Sequence, residues 1–324
     1  MADKSYTYAV SRVRALEVKL LNRTFLDTLV NAPSYKDCLE LLSEKGWGTG
    51  EAGETAEDML KSQEEDIWVT MGELGVDKDV FRVLFIPREF HNLKAAVKKV
   101  CTDAPDDLII FNEGTVTPPR VMVEAIREKN YTALPEEMRS CAREAFESLL
   151  HNRDGQLCDC IIDKACLDEI GKAGSRSDVP VIREYAESVV AVADIKTAVR
   201  ACSTGKSREF LKRAISPCRT IYAEGLINAA VSGIDQLYDF LSQSGYADAV
   251  EALKESPSVF EKWCDDQVIR AISPEKYHTF TAGPLVAYVL ARQNEIKTVR
   301  IVLTCRENDI PADEITGRLR EMYV

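Results

Sequence analysis

The residues with the most chemical potential in this 324-residue chain are Cys158, Cys160 and Cys166, with His151 upstream, a set that could supply four soft ligands to a metal ion. Their spacing departs from the paired knuckles of zinc sites, and two residues apart on a helix Cys158 and Cys160 face different sides. Ser203-Thr204-Gly205-Lys206-Ser207 contains the Gly-Lys-Ser end of a phosphate-binding loop. The full pattern needs a glycine five places before Gly205, where Arg200 stands, and a strand ahead of it, where the periodicity is helical. The segment therefore reads as a helix C-terminus followed by a turn. Histidine chemistry is limited to His91, His151 and His278, and neither Gly-x-Ser-x-Gly nor His-Glu-x-x-His occurs. No catalytic, cofactor-binding or metal-ligating residue is assigned. The charged residues that stand out are Arg292 with Glu295 and Arg14 with Glu17, each pair three apart and so adjacent on a helix surface. They read as structural ion pairs or as a polar lining for a central opening.

These pairs belong to elements that repeat. Leu93-Lys94-Ala95-Ala96-Val97-Lys98, Ile195-Lys196-Thr197-Ala198-Val199-Arg200 and Ile296-Lys297-Thr298-Val299-Arg300 place their first lysines 102 and 101 residues apart. A period near one hundred implies three copies of one unit and a pseudo-threefold object. Leu285, Val289, Ile296, Val299 and Leu303 follow a four-three spacing with Arg292 in the slot between Val289 and Ile296, one face of a long helix that Gly283-Pro284 starts. Tyr185, Val189, Val192, Ile195 and Val199 form a comparable stripe, and Pro87 should begin or bend the helix of the first copy. Leu42 to Trp47 and Leu241 to Tyr246 each read as a helix end, a C-terminal glycine (Gly46, Gly245) and an aromatic folded back on the last turn, with a fainter copy at Leu150 to Gly155. Loop punctuation falls at 103–106, 117–119, 171–180, 203–205 and 273–274, and the 48–53 and 171–177 stretches read as mobile. Strand-type alternation is nearly absent. The expected fold is all-α, with helical units at 1–105, 106–206 and 207–324.

Composition narrows the function. Hydrophobic residues at 45% and charged residues at 29% give the balance of a globular protein, and no apolar run approaches the roughly 20 residues of a membrane span. A net charge of −12 argues against nucleic acid as the main partner, since phosphate binding needs clustered positive charge. Ten scattered cysteines, with no apolar signal segment at Met1 to Ser5, lead us to expect reduced thiols in a cytoplasmic protein.

The run Ala291 to Leu303, then Ile310-Pro311-Ala312-Asp313-Glu314 and the ending Arg318-Leu319-Arg320-Glu321-Met322-Tyr323-Val324, resembles the C subunit of prokaryotic V-type (A-type) ATPases, a family similar to the d subunit of the eukaryotic vacuolar enzymes. Tyr8 to Ala15 resembles the family's opening helix. The extra cysteines and Gly317, where charged residues are commoner, depart from the pattern; Gly317 should soften the last helix by about 1 kcal/mol. The resemblance implies an all-helical funnel of three similar domains, a non-catalytic part of the central rotor. Its partners would be the shaft subunits of the ATPase head and the proteolipid ring, with the chain peripheral on the cytoplasmic side of the membrane. It implies no cofactor, no nucleic acid and no small-molecule ligand, and leaves proton or sodium as the transported ion. Two rivals are a freestanding helical-repeat scaffold and a metal-dependent helical enzyme using the Cys158 to Cys166 cluster.

Overall fold

The helical period carries through to three dimensions. In the computed structural model, which describes residues 6–51, 53–102 and 115–324, every regular element among those residues is helical. In chain order the helices are α1 (Thr7–Glu17), α2 (Arg23–Val30), α3 (Tyr35–Glu44), α4 (Ala56–Glu73) and α5 (Arg82–Thr102). There follow α6 (Pro119–Arg127), α7 (Glu136–Asn152), α8 (Gly155–Arg176), α9 (Pro180–Ser203), α10 (Arg208–Ala214) and α11 (Ala223–Ser232). The last are α12 (Ile234–Gln243), α13 (Ala247–Glu255), α14 (Pro257–Ile272), α15 (Gly283–Glu307) and α16 (Ala312–Arg318). The repeated lysine motif lies on α5, α9 and α15, helices of 21, 24 and 25 residues. The loop reading at 103–106 and the segment Met1 to Ser5 lie outside the described residues.

Two compact units emerge. The first draws on the described residues of 1–80, 179–185 and 248–324 and is organised around α15, on which α1, α2, α3, α4, α14 and α16 all pack. Leu285, Val289, Ile296, Val299 and Leu303 are buried as the four-three repeat requires, but so are Val286, Ala287, Leu290 and Val302. The N-terminal half of α15 is enclosed on every side and so carries apolar residues all round, whereas Lys297, Arg300, Thr304 and Glu307 are exposed on its C-terminal half; each buried valine, leucine or isoleucine contributes about 1.5–3 kcal/mol. Pro284 sits in the first turn, where its missing N–H costs nothing.

Gly46 ends α3 in the left-handed conformation at φ 82°, and the Trp47 N–H donates back to the Leu42 carbonyl at 3.1 Å with the indole 3% exposed. Nothing lies within 4 Å of the place a Cβ would take, so the glycine is needed for its backbone alone. Gly46→Ala is expected to cost about 1 kcal/mol, a fall of roughly 2–4 °C in the thermal midpoint. An unchanged midpoint by differential scanning calorimetry would contradict this.

The second unit draws on the described residues of 81–178 and 186–247. α7 and α8 pack along each other, α5 packs on α6, α7 and α8, and α10 joins α8 to α11. Gly245 repeats the Gly46 turn, at φ 87° with Tyr246 N–H donating to Leu241 O at 3.1 Å. The expected middle copy differs: Arg153 takes the left-handed turn at φ 52°, while Asp154 caps α8 by accepting from Leu157 N–H and Gly155 is already helical. An immediate new N-cap leaves no room for a glycine turn.

Three further expectations are corrected. Of the two outcomes expected at Pro87, a helix start is excluded: α5 starts at Arg82, five residues ahead, because burial of Val83, Leu84, Phe85 and Ile86 on the flanking turn outweighs one lost hydrogen bond. α8 runs on through Gly171 and the buried Gly174 to Arg176, so most of the 171–177 stretch is helix held by its packing. On α9 the buried face is Ala186, Val190, Ala191, Asp194, Ile195, Ala198 and Ala201, whereas Tyr185, Val189, Val192 and Val199 are half-buried. The small residues permit close packing, which leaves the larger valines on the open side.

Candidate functional site

In the first unit the two charged pairs singled out from sequence are embedded in separate, defined surroundings. Glu295, 1% exposed, accepts hydrogen bonds from the Leu21 N–H and from Arg292. Burial pushes its carboxyl above the usual range, opposed by the Arg292 charge. Arg292 also donates to Gln63 Oε1 and lies 5.5 Å over the Trp47 ring. The Gly46-Trp47 turn thus supplies the aromatic platform for the one cation on the α15 stripe, adding a cation–π attraction to the ion pair. Arg14 Nη1 donates to both Glu17 oxygens at 2.7 and 2.8 Å, and Nη2 donates to the Glu275 and His278 carbonyls. That guanidinium ties α1 to the turn before α15.

The chain end is held just as closely. Arg320 Nε donates to Asp265 Oδ2 at 2.8 Å, Lys297 pairs with the other Asp265 oxygen at 2.7 Å, and the Glu321 N–H donates to Asp266 Oδ1 at 2.7 Å. Asn294 Nδ2 closes the loop onto the Glu321 carbonyl, and Leu319 and Tyr323 are buried. Burial pushes the Tyr323 phenol up to about 12, with the Glu17 charge adding to it. The C-terminal run beyond α16 is therefore a packed non-helical segment held against α14 and α15.

Sequence reasoning missed two carboxylates of the second unit. Glu89, 1% exposed, pairs with Arg82 at 2.9 Å and accepts from the Val116 N–H at 2.8 Å. Asp194, also 1% exposed, accepts from the Ser216 N–H at 3.0 Å, and burial pushes its carboxyl up to about 8. Ser216 Oγ in turn donates to Asp168, which pairs with Lys164 at 2.7 Å. The signal for Asp194 was a lone acid in the apolar run Val190-Ala191-Val192-Ala193-Asp194-Ile195. Of the repeated lysines, Lys94 pairs with Asp163 at 2.6 Å, an α5 to α8 tie comparable to Lys297 and Asp265 between α15 and α14.

The soft-ligand candidates are not convergent: among the described residues no three His, Cys, Asp or Glu side chains are placed to hold a metal ion. Burial pushes the Cys158 and Cys166 thiols up to about 11 and about 12, so both stay protonated and unreactive. His151 is exposed at the end of α7. In Ser203 to Ser207 the elements of a phosphate loop serve local structure: Gly205 turns the chain at φ 64° and Ser207 caps α10 by accepting from Phe210 N–H. Among the described residues no helix is long and apolar enough to cross a membrane.

Residues 9–318 match the family described as ATP synthase (C/AC39) subunit, nearly the whole chain. The chain belongs to that family. Within it, the chain is 20% identical over 318 residues to the C subunit of the V-type sodium ATPase of Enterococcus hirae, covering 96% of this chain and 97% of that one. It is 24% identical over 348 residues to the C subunit of the A-type ATP synthase of Desulfurococcus sp., covering 96% and 89%. The C subunit of the V-type ATP synthase of Thermus thermophilus matches at 24% over 223 residues, 65% and 68% of the two chains. As a member of the C/AC39 family the protein is a component of a V-type or A-type ATPase, and its ion pairs are to be understood in a member of a larger assembly.

Proposed function

We propose that the protein is the non-catalytic central-stalk coupler of a rotary ATPase, joining the shaft subunits of the ATPase head to the proteolipid ring and driving proton or sodium transport or ATP synthesis. It would sit peripherally on the cytoplasmic side of the membrane, as three helical units at 1–105, 106–206 and 207–324 in a funnel about a pseudo-threefold axis. The observation that carries this reading is the family match over residues 9–318. The packing supports it: a coupler must transmit torque without slipping, and α15 is buried all round over its N-terminal half and tied by Arg292, Glu295, Asn294 and Lys297 to the rest of its unit. In this reading Arg14, Glu17, Arg292 and Glu295 are structural ties.

Affinity purification of the tagged chain from detergent-solubilised membranes is expected to recover both ring and shaft subunits. Recovery of neither would overturn the proposal. Deleting the chain should leave ATP hydrolysis in the head while abolishing ATP-driven ion uptake into vesicles; persistent uptake would count against coupling through it.

A further inference from the structure

The second unit contains an open cavity of about 500 Å³ between α8, α9 and α10, within the roughly 300–1,000 Å³ of small-molecule sites. Leu167, Ile170, Val189 and Phe210 give it an apolar wall. Its charge is lopsided in a way that the overall −12 conceals. The two acids that line it, Asp159 and Asp163, are already neutralised by Lys98 at 2.8 Å and Lys94 at 2.6 Å. Two of the lining cations are not balanced in the same way. Arg200 is exposed, and its guanidinium has no ion pair or hydrogen bond among the described residues. Among the described residues Lys206 engages only neutral groups, the Gln156 amide oxygen at 2.6 Å and the face of the Phe210 ring at 5.2 Å. Lys196 also lines the cavity.

An apolar wall beside two unanswered cations selects a molecule with both characters. A purely apolar ligand would leave Arg200 and Lys206 without a counter-charge, and a small hydrophilic anion would gain nothing from Leu167, Ile170 and Val189. We propose that this cavity binds an amphiphile with one anionic head and an apolar body, the head on Arg200 and Lys206 and the body along α8 and α9. A carboxylate head would identify a free fatty acid and a phosphate head a phospholipid. Such a ligand departs from the absence of a small-molecule partner expected from sequence, and it does not depend on the rotor reading.

The test is isothermal titration of the full chain with decanoate, with dihexanoyl phosphatidate and with uncharged 1-decanol. At least one anion is expected to bind, and whichever binds more tightly names the source. The double variant Arg200→Glu, Lys206→Glu should weaken that binding at least about tenfold, since charge-assisted contacts to the head are lost. Arg12→Glu, at an exposed cation in the other unit, should change nothing. Ala193→Trp, which fills the cavity, should abolish binding. The inference is overturned if neither anion binds, if 1-decanol binds as tightly as the anions, or if affinity survives the double charge reversal or the tryptophan.

Discussion

Replacing Arg292 with leucine is expected to lower the unfolding free energy by about 3–5 kcal/mol, because among the described residues it leaves the buried Glu295 carboxylate with only the Leu21 N–H to answer it. The side chain also gives up its contact with Gln63 and its place over Trp47. The loss should depend on pH. Glu295 has a folded-state pKa raised above its unfolded value, and removing Arg292 raises it further, so the charge penalty is present at high pH and shrinks as pH falls toward the ordinary glutamate range. Glu295→Gln placed on top of Arg292→Leu should restore much of the stability, since glutamine can accept from Leu21 without a charge. Urea titrations of the two single variants and the double variant measure the coupling directly. Additive losses would show that the pair does not act as a unit. As a contrast, Arg270, 44% exposed beside Asp248 and Glu321, should cost less than about 1 kcal/mol when truncated to alanine.

Both halves of that arrangement were partly legible in the sequence. The three-residue spacing of Arg292 and Glu295 fixes their adjacency on any helix, and Gly46 before Trp47 marks a turn whose aromatic folds back. What spacing cannot give is the meeting of the two, because Trp47 and Gln63 lie more than 200 residues from Arg292. Nor does it reveal Leu21 N–H as a partner of Glu295, since that is a contact to backbone between distant helices. The ending Arg318 to Val324 could be matched to a family but not explained. Its physical reason is the docking of Arg320 and Glu321 on Asp265 and Asp266.

The same distinction runs through the fold. Helix existence was legible wherever the 3.6-residue period was clear, as on α15, and helix ends were legible where a glycine was required at positive φ, as at Gly46 and Gly245. The choice of buried face on α9 was not. That helix carries apolar residues on most of its circumference, so periodicity does not rank Val189 and Val199 against Ala191 and Ala198, and steric closeness decides. Gly171 and Gly174 misled for a related reason. Propensity weakens a helix locally by about 1 kcal/mol per glycine, a cost that burial of Ile162, Cys166 and Ile170 along α8 outweighs.

Asp194→Asn should make the chain more stable in alkaline solution, the opposite of what removing a buried, hydrogen-bonded residue usually does. Burial is what raises its pKa: Asp194 Oδ1 accepts from the Ser216 N–H, but among the described residues its second oxygen is buried without a hydrogen-bond partner, and burial outweighs both that N–H and the Lys164 charge, while Asp168 adds a smaller push in the same direction as burial. The carboxyl is therefore held protonated, with a folded-state pKa of about 8 against an ordinary value of 3.8. The folded state binds the extra proton between these two values, so the stability this group contributes is complete below about pH 4 and is lost as pH rises through about 8. Asparagine keeps the acceptor for Ser216 and cannot ionise. Around pH 5 the variant should lie within about 1 kcal/mol of wild type or below it, and by pH 9 it should exceed wild type by a few kcal/mol, at up to about 1.4 kcal/mol per pH unit across the window. Urea unfolding of both proteins from pH 5 to 9 decides the matter, because Glu169, Glu295 and Asp266, whose pKa values are also raised, titrate in both and cancel in the difference. Parallel stability curves would mean that Asp194 is charged in the folded chain. A diverging pair would place a protonated carboxyl at the centre of the Lys164, Asp168 and Ser216 network, and with it a loosening of the second unit as the surroundings become alkaline.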